Sequence, residues 1–389
     1  MIRSAKKKYI QYWNLYNMTK QPSIPISAET PSLAKKLGKE KATITTKKPI
    51  EKDYRKGKKS LYIEEKKGTS FDTCATIGNE YVCCNVKVLK SVTNCPFDCS
   101  YCFLQNYLTN GTMSAVGDTE SLIEEVKQRL EEQPWRFFRI GTWELGDSLA
   151  LEKDINQASE LIMAFKNLPN AVLELKTKSD CVDTILDLDH GNKTVVSWSI
   201  NPAKIINEQE HKTATLQKRL AAMKKVEDAG YPIGLHFDPM IYYPEWEADY
   251  HELIDQIFDT ISPKSLAWVS VGSLRFNPEM KQKMALNFPK SYIHSQEMIL
   301  GPDGKIRYVK PLRLNMYKSF MKKLNSYLDP QTVLYFCMER FDVWEKILGY
   351  SPRSIGHLDY IFADKMRIKY PEMVETMGSL EMYEAHQDS

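Results

Sequence analysis

No uninterrupted apolar run of about 18 residues occurs in this sequence, so no segment is expected to cross a membrane as a helix. Its start, MIRSAKKKYIQYW, is positively charged but has no apolar stretch behind the charge, and no secretory signal is expected. Cysteine is sparse: eight in 389 residues is far below the density of a disulfide-held scaffold. Without a secretory signal the expected location is the reducing cytoplasm. Clustered cysteines there are more often metal ligands or reactive thiols than bridges. Internal repeats are missing as well, apart from an alternation of strand and helix.

What is present suits a soluble protein with a sizeable core: 42% of residues are hydrophobic and 26% are charged. The length allows one large domain with a smaller one. A formal net charge of +3 hides an asymmetry. Residues 1–70 hold 18 Lys/Arg against 6 Asp/Glu, whereas the remaining 319 hold 35 against 44. Such a basic arm suits a polyanion such as DNA or another nucleic acid. The alternative is a solvated tail, since its Lys, Thr, Ser and Pro content also matches disorder. We divide the chain into a basic, flexible N-terminal extension (1–70), a strand–helix body (71–275) and a C-terminal substrate-binding or capping region (276–389).

In the body, apolar runs at 86–89, 135–140, 171–175, 195–200, 231–237 and 267–271 predict strands. Periodic segments at 119–132, 153–167, 180–188, 212–229 and 247–261 predict helices. Leu122, Ile123, Val126 and Leu130 share one face of the first helix, and Gly230 is placed to end the fourth. Six alternating units predict a parallel sheet curled into a partial (β/α)6 TIM-like barrel, short of the eight units of a closed one. Its functional groups belong at the C-terminal ends of the strands. After residue 275 a β-hairpin is expected around Gly301–Gly304, then a helix at 314–327, a strand at 333–338 and a helical C-terminus.

Cys95, Cys99 and Cys102 form C-x3-C-x2-C within eight residues. Three thiolates so spaced suit a cubane [4Fe–4S] cluster and leave its fourth iron open to an outside ligand. The competing reading is zinc, which normally takes four protein ligands in paired knuckles. Cys74, Cys83 or Cys84 would then have to supply the fourth. Adjacent Cys83 and Cys84 are poorly placed to share one metal, and burial as small hydrophobes suits them better.

With an aromatic residue, Tyr101, before its last cysteine, this loop resembles the signature of radical S-adenosylmethionine (SAM) enzymes. The segments CSYCFLQ (99–105), GTWELGDSLA (141–150), LKTKSDCVD (175–183), SWSINP (197–202), AGYPIGLHFDPMI (229–241) and SVGSLRFNPEM (270–280) resemble the spore photoproduct lyase family within that superfamily. The likeness spans roughly residues 74–340. It implies a partial barrel of radical SAM type and a [4Fe–4S] cluster. It also implies reductive cleavage of SAM to a 5′-deoxyadenosyl radical that takes hydrogen from substrate. A low-potential electron donor such as flavodoxin or ferredoxin follows from the same chemistry. The implied activity is that of a DNA-repair or nucleobase lyase.

The resemblance and the strand ends together nominate residues. Glu144, Lys178, Ser199, Asn201 and Arg219 are candidates for holding SAM, with Tyr101 and Lys178 as candidate catalytic residues. His236 and Asp238, ending the fifth strand, are candidates for facing substrate. Lys305, Arg307, Tyr308 and Lys310 interleave cations with an aromatic, a pattern suited to phosphate contact and base stacking. One departure matters. Thr142 stands where the family's lyases have the cysteine that returns hydrogen to the product, and Phe103 replaces one of two tyrosines. Other readings keep the radical chemistry on a small molecule, a peptide or RNA, or make the chain a non-catalytic zinc or Fe–S protein that binds nucleic acid. No sequence feature sets an oligomeric state.

Overall fold

The computed structural model describes residues 24–39, 42–74 and 80–386. Its main sheet has eight strands: β1 (Phe71–Thr73), β2 (Lys87–Leu89), β3 (Phe138–Gly141), β4 (Ala171–Thr177), β5 (Thr194–Ser199), β6 (Ile233–Met240), β7 (Leu266–Ser273) and β8 (Val333–Phe336). They lie side by side in chain order. β1 is antiparallel to β2, and every later neighbour is parallel. β4, β5 and β7 are buried over almost every residue, the pattern of parallel strands covered on both faces.

The intervening helices are α1 (Thr119–Glu132), α2 (Gln157–Phe165), α3 (Leu216–Asp228), α4 (Trp246–Thr260) and α5 (Lys310–Leu324), with α6 (Ile355–Lys369) after β8. Leu122, Val126 and Leu130 bury the inner face of α1 at four-residue spacing. Thr215 caps α3 by accepting from the Lys218 amide, and Gly230 follows its end at φ 84°, where glycine pays no Cβ penalty. Between β4 and β5 the expected helix at 180–188 is replaced by successive tight turns. Three-residue hydrogen bonds there bury Val182, Ile185 and Leu188 without a helical run.

The sheet continues past the six units read from the sequence. The strand at 333–336 pairs in parallel with β7. A short antiparallel pairing of Tyr81–Val82 with Glu339–Arg340 then ties the β8 side of the curl to the β1–β2 side.

Residues 24–39 and 42–64, placed by the sequence reading in a basic extension, are built into the body. Ile26–Ala28, Thr43–Ile44 and Leu61–Glu64 form a second sheet with Met113–Val116 and Val92–Thr93. A separate small core including Ala28, Leu33, Leu61, Ile63, Met113 and Ala115 lies under it. The physical reason is that short apolar islands within a Lys-rich stretch find a partner strand that local composition does not reveal. Residues 1–23 lie outside the described residues. Among the described residues no helix is long and apolar enough to cross a membrane.

Candidate active site

A cavity of about 820 Å³ opens at the C-terminal ends of the strands and is bordered by the whole cysteine triplet. The loop that carries the triplet is tightly specified. Asn94 sits at φ 64°, a left-handed conformation that asparagine tolerates. Its side-chain oxygen accepts from the Cys95 amide at 2.8 Å, and its Nδ2 donates to the Gly111 carbonyl at 2.7 Å. Asp98–Cys99 then pairs antiparallel with Glu210–His211. The N-terminal segment grips the loop from outside. Arg55 Nη2 and Lys58 Nζ lie 2.9 and 3.6 Å from the buried Asp98 carboxylate, Lys58 donates to the Phe97 carbonyl, and the Tyr54 hydroxyl donates to Cys102 Sγ at 3.3 Å.

Burial pushes the Cys95 thiol up to about 12 and the Cys99 thiol well above its usual value. A cationic centre bound between the thiols would offset that cost and hold them as thiolates. Among the described residues no group of three His, Cys, Asp or Glu side chains is gathered for a single metal ion. The three thiols border a shared space, and the donor set suits a cluster held by one loop.

Glu210 organises the next wall. It accepts from the Tyr101 hydroxyl, from Asn201 Nδ2 at 3.0 Å and from Arg219 Nη2 at 2.6 Å, and Lys178 Nζ lies 3.9 Å away. Burial alone would raise its carboxyl, but Lys178, Arg219 and these donors hold it at about 2. Lys178 Nζ also donates to Ser199 Oγ. Tyr101, Glu144, Lys178 and Ser199 border the cavity directly. Asn201 and Arg219 are not among its bordering residues. Both are fully buried, and Arg219 is spent on Glu210, Thr213 and the Ala214 and Ser199 carbonyls. They set the wall from behind.

At the floor, Glu174 accepts from Ser197 Oγ (2.7 Å), His236 Nε2 (2.7 Å), Trp268 Nε1 (2.9 Å) and Trp143 Nε1 (3.0 Å). These donors, with the Lys176 ammonium nearby, outweigh burial and keep its carboxyl well below the usual range, while burial lowers the His236 pKa. His236 faces the cavity, as does Asp238. Arg275 holds Asp238 through two contacts at 2.9 and 3.2 Å.

The expected hairpin forms: Ile299–Leu300 pairs with Ile306–Arg307, which in turn pairs with Arg275–Phe276. Its cations are not arrayed for phosphates, however. Arg307 is buried against Asp303 and over the Tyr81 ring, and Lys310 is paired with Asp342. Tyr308 is buried, donating to Gln296 Oε1 at 2.8 Å beside a separate cavity of about 860 Å³ that Tyr242 and Tyr292 also border. Only Lys305 of these four borders the cysteine-lined cavity. The correction has a simple cause: acidic neighbours at Asp303 and Asp342 capture cations that sequence alternation presents as free. Glu210, Glu174, Arg275, Tyr54 and Lys58 escaped the sequence reading. A glutamate inside the apolar strand AVLELKT was the available signal for Glu174.

Comparison with known proteins bears on the fold and the family. The family model described as spore photoproduct lyase matches residues 6–337, reaching into the basic N-terminal segment. A spore photoproduct lyase of Clostridium acetobutylicum is 22% identical over 286 residues, covering 72% of this chain and 83% of that protein. One from Bacillus subtilis is 27% identical over 248 residues, covering 63% and 70%. The fold matches a spore photoproduct lyase variant solved with bound AdoMet and dinucleoside spore photoproduct. That match has a TM-score of 0.69 and 21% identity, and covers 82% of this chain and all of the other. The chain belongs to the spore photoproduct lyase family.

Proposed function

We propose that this chain is a radical SAM lyase acting on a modified nucleobase in DNA, of the spore photoproduct type. The observation that carries the reading is the cysteine triplet of one eight-residue loop, facing a cavity at the strand ends of a chain in this family. Cys95, Cys99 and Cys102 would hold a [4Fe–4S] cluster, which with SAM supplies a 5′-deoxyadenosyl radical on reduction by a flavodoxin or ferredoxin.

The chain's own residues do the positioning. Glu144 would accept from the ammonium of the methionine moiety, and Ser199 would donate to its carboxylate or ribose. Lys178 carries a positive charge to the same wall, oriented by Glu210. Asn201 and Arg219 act through Glu210, fixing Lys178 and Tyr101 in place. Across the cavity His236, Asp238 and Lys305 face the substrate, Lys305 being the one of the three hairpin cations that borders the cavity and can meet an anionic group. Buried walls exclude water, which protects a reactive radical from side reactions.

The test is anaerobic incubation of the reconstituted protein with SAM, a strong reductant and dinucleoside spore photoproduct. The expected result is coupled loss of the dinucleoside and release of 5′-deoxyadenosine. SAM cleavage with the dinucleoside untouched would move the substrate to RNA, a peptide or a small molecule. No SAM cleavage at all would refute the reading.

A further inference from the structure

Five consecutive strands of the curled sheet build the surroundings of Glu174. Trp143 follows β3, Glu174 lies in β4, Ser197 in β5, His236 in β6 and Trp268 in β7. Two glycines clear the space in which they meet. A side chain at Gly234 would run into Ser197 Oγ and Trp268 Nε1, and one at Gly141 into the Trp143 indole. The geometry also settles where the imidazole carries its hydrogen. Both indole N–H groups can only donate, so Glu174 serves as an ionised acceptor. Its Oε1 therefore receives the hydrogen of His236 Nε2 at 2.7 Å.

That leaves Nδ1 as the bare nitrogen of a neutral ring. Burial, with the Lys176 ammonium nearby, outweighs the Glu174 charge and holds the ring's pKa below its ordinary 6.5. Buried polar atoms are normally hydrogen-bonded. His236 is only 3% exposed, yet its Nδ1 has no hydrogen-bond partner among the described residues, and the ring borders the cysteine-lined cavity. A histidine held only for packing would not need one nitrogen fixed by four strands and the other left open.

We propose that His236 Nδ1 accepts a hydrogen bond from an imide N–H of the substrate base, with Glu174 as the positioning residue that sets the tautomer. The inference rests on the nucleobase-lyase reading and names the group that the floor of that site recognises. An imide N–H is what a thymine- or uracil-type ring presents between two carbonyls, and it is the ring's one N–H once the sugar is attached. A neutral nitrogen meets it without carrying an unpaired charge into the cavity. Lys176 Nζ lies 3.3 Å from the centroid of the Trp143 ring and has no ion-pair partner among the described residues. It borders the same cavity and supplies a donor for a carbonyl beside the N–H. A ring without the N–H leaves the buried nitrogen unpaired, and that loss is the discrimination.

Calorimetric binding to the reconstituted protein, kept oxidised so that nothing turns over, tests the contact. The probes are dinucleoside spore photoproduct and its two forms methylated at N3 of one ring or the other. Wild type should bind one methylated form about tenfold more weakly than the parent compound, and the other nearly as well. In His236→Phe the parent compound should bind about tenfold more weakly, with little further loss on methylating that ring. Equal binding of all three by wild type overturns the proposal, as does a methylation penalty that persists in His236→Phe. That variant strips a donor from a buried carboxylate and can fail to fold, so nitrogen-15 NMR of histidine-labelled wild type gives a second reading. Nδ1 should be unprotonated at neutral pH and should shift with thymidine but not with N3-methylthymidine. A proton on Nδ1, or a resonance indifferent to thymidine, overturns the proposal. If the dinucleoside does not bind while thymidine still shifts Nδ1, the substrate reading fails and the contact stands.

Discussion

Two cation-rich stretches look alike in the sequence and do different work in the fold. In EKDYRKGKK (51–59), Arg55 and Lys58 reach a carboxylate buried in the cysteine loop, and Tyr54 reaches a cysteine of the triplet. In DGKIRYVK (303–310), Arg307 and Lys310 are taken up by acidic residues near them, leaving Lys305 to face the cavity. A cation's role is decided by where a buried carboxylate waits for it, and net charge along the chain does not carry that information.

Removing Lys58 should sharpen the comparison most. Lys58→Met takes the buried cation from Asp98, which keeps Arg55, and also removes the donor to the Phe97 carbonyl; together these should cost about 3 kcal/mol, read by denaturant unfolding. Iron retained after reconstitution should fall with it, and Lys58→Arg should restore part of both. Unchanged stability and iron content would show that the N-terminal segment merely covers the loop.

Arg307→Leu should cost nearly as much, about 3 kcal/mol, because Asp303 is left buried without its partner. The salt dependence of DNA binding should stay as in the parent. Lys305→Gln should do the reverse, weakening substrate binding with little change in stability. A reduced salt slope in Arg307→Leu would return that residue to phosphate contact.

Most of the barrel was legible. Its strands are apolar runs and its helices repeat at 3.6 residues, signals that local sequence carries. The cysteine triplet was legible for the same reason, since all of its chemistry falls within eight residues. The rest of the site is non-local: Asp238, Arg275 and Cys337 come from three separate segments. Glu210 collects Tyr101, Lys178, Asn201 and Arg219 from four. Asn201 was nominated at a strand end and Arg219 on the 212–229 helix, but their buried, supporting role depends on a glutamate that no motif marks.

A smaller effect concerns pH. Although burial opposes ionisation, Arg275 holds the Asp238 carboxyl at about 2, below its ordinary 3.8. A depressed carboxylate contributes stability above its unfolded pKa and loses it as pH falls through the folded one. About 2 kcal/mol should therefore disappear between roughly pH 4 and pH 2. Denaturation across that window should show the loss in the parent and a flatter profile in Asp238→Asn.

The smallest expected change is in Tyr54→Phe. It deletes one hydrogen bond to Cys102 Sγ, worth about 1 kcal/mol, so the cluster should become harder to reduce by some tens of millivolts. An unchanged potential would limit Tyr54 to packing.

The central claim, a cluster on Cys95, Cys99 and Cys102 with one iron open to SAM, is tested most directly by EPR of the anaerobically reconstituted, reduced protein with and without SAM. The account predicts a reduced [4Fe–4S] signal that shifts when SAM is added and is lost in Cys99→Ala. Bound zinc, or a cluster signal indifferent to SAM, would contradict it.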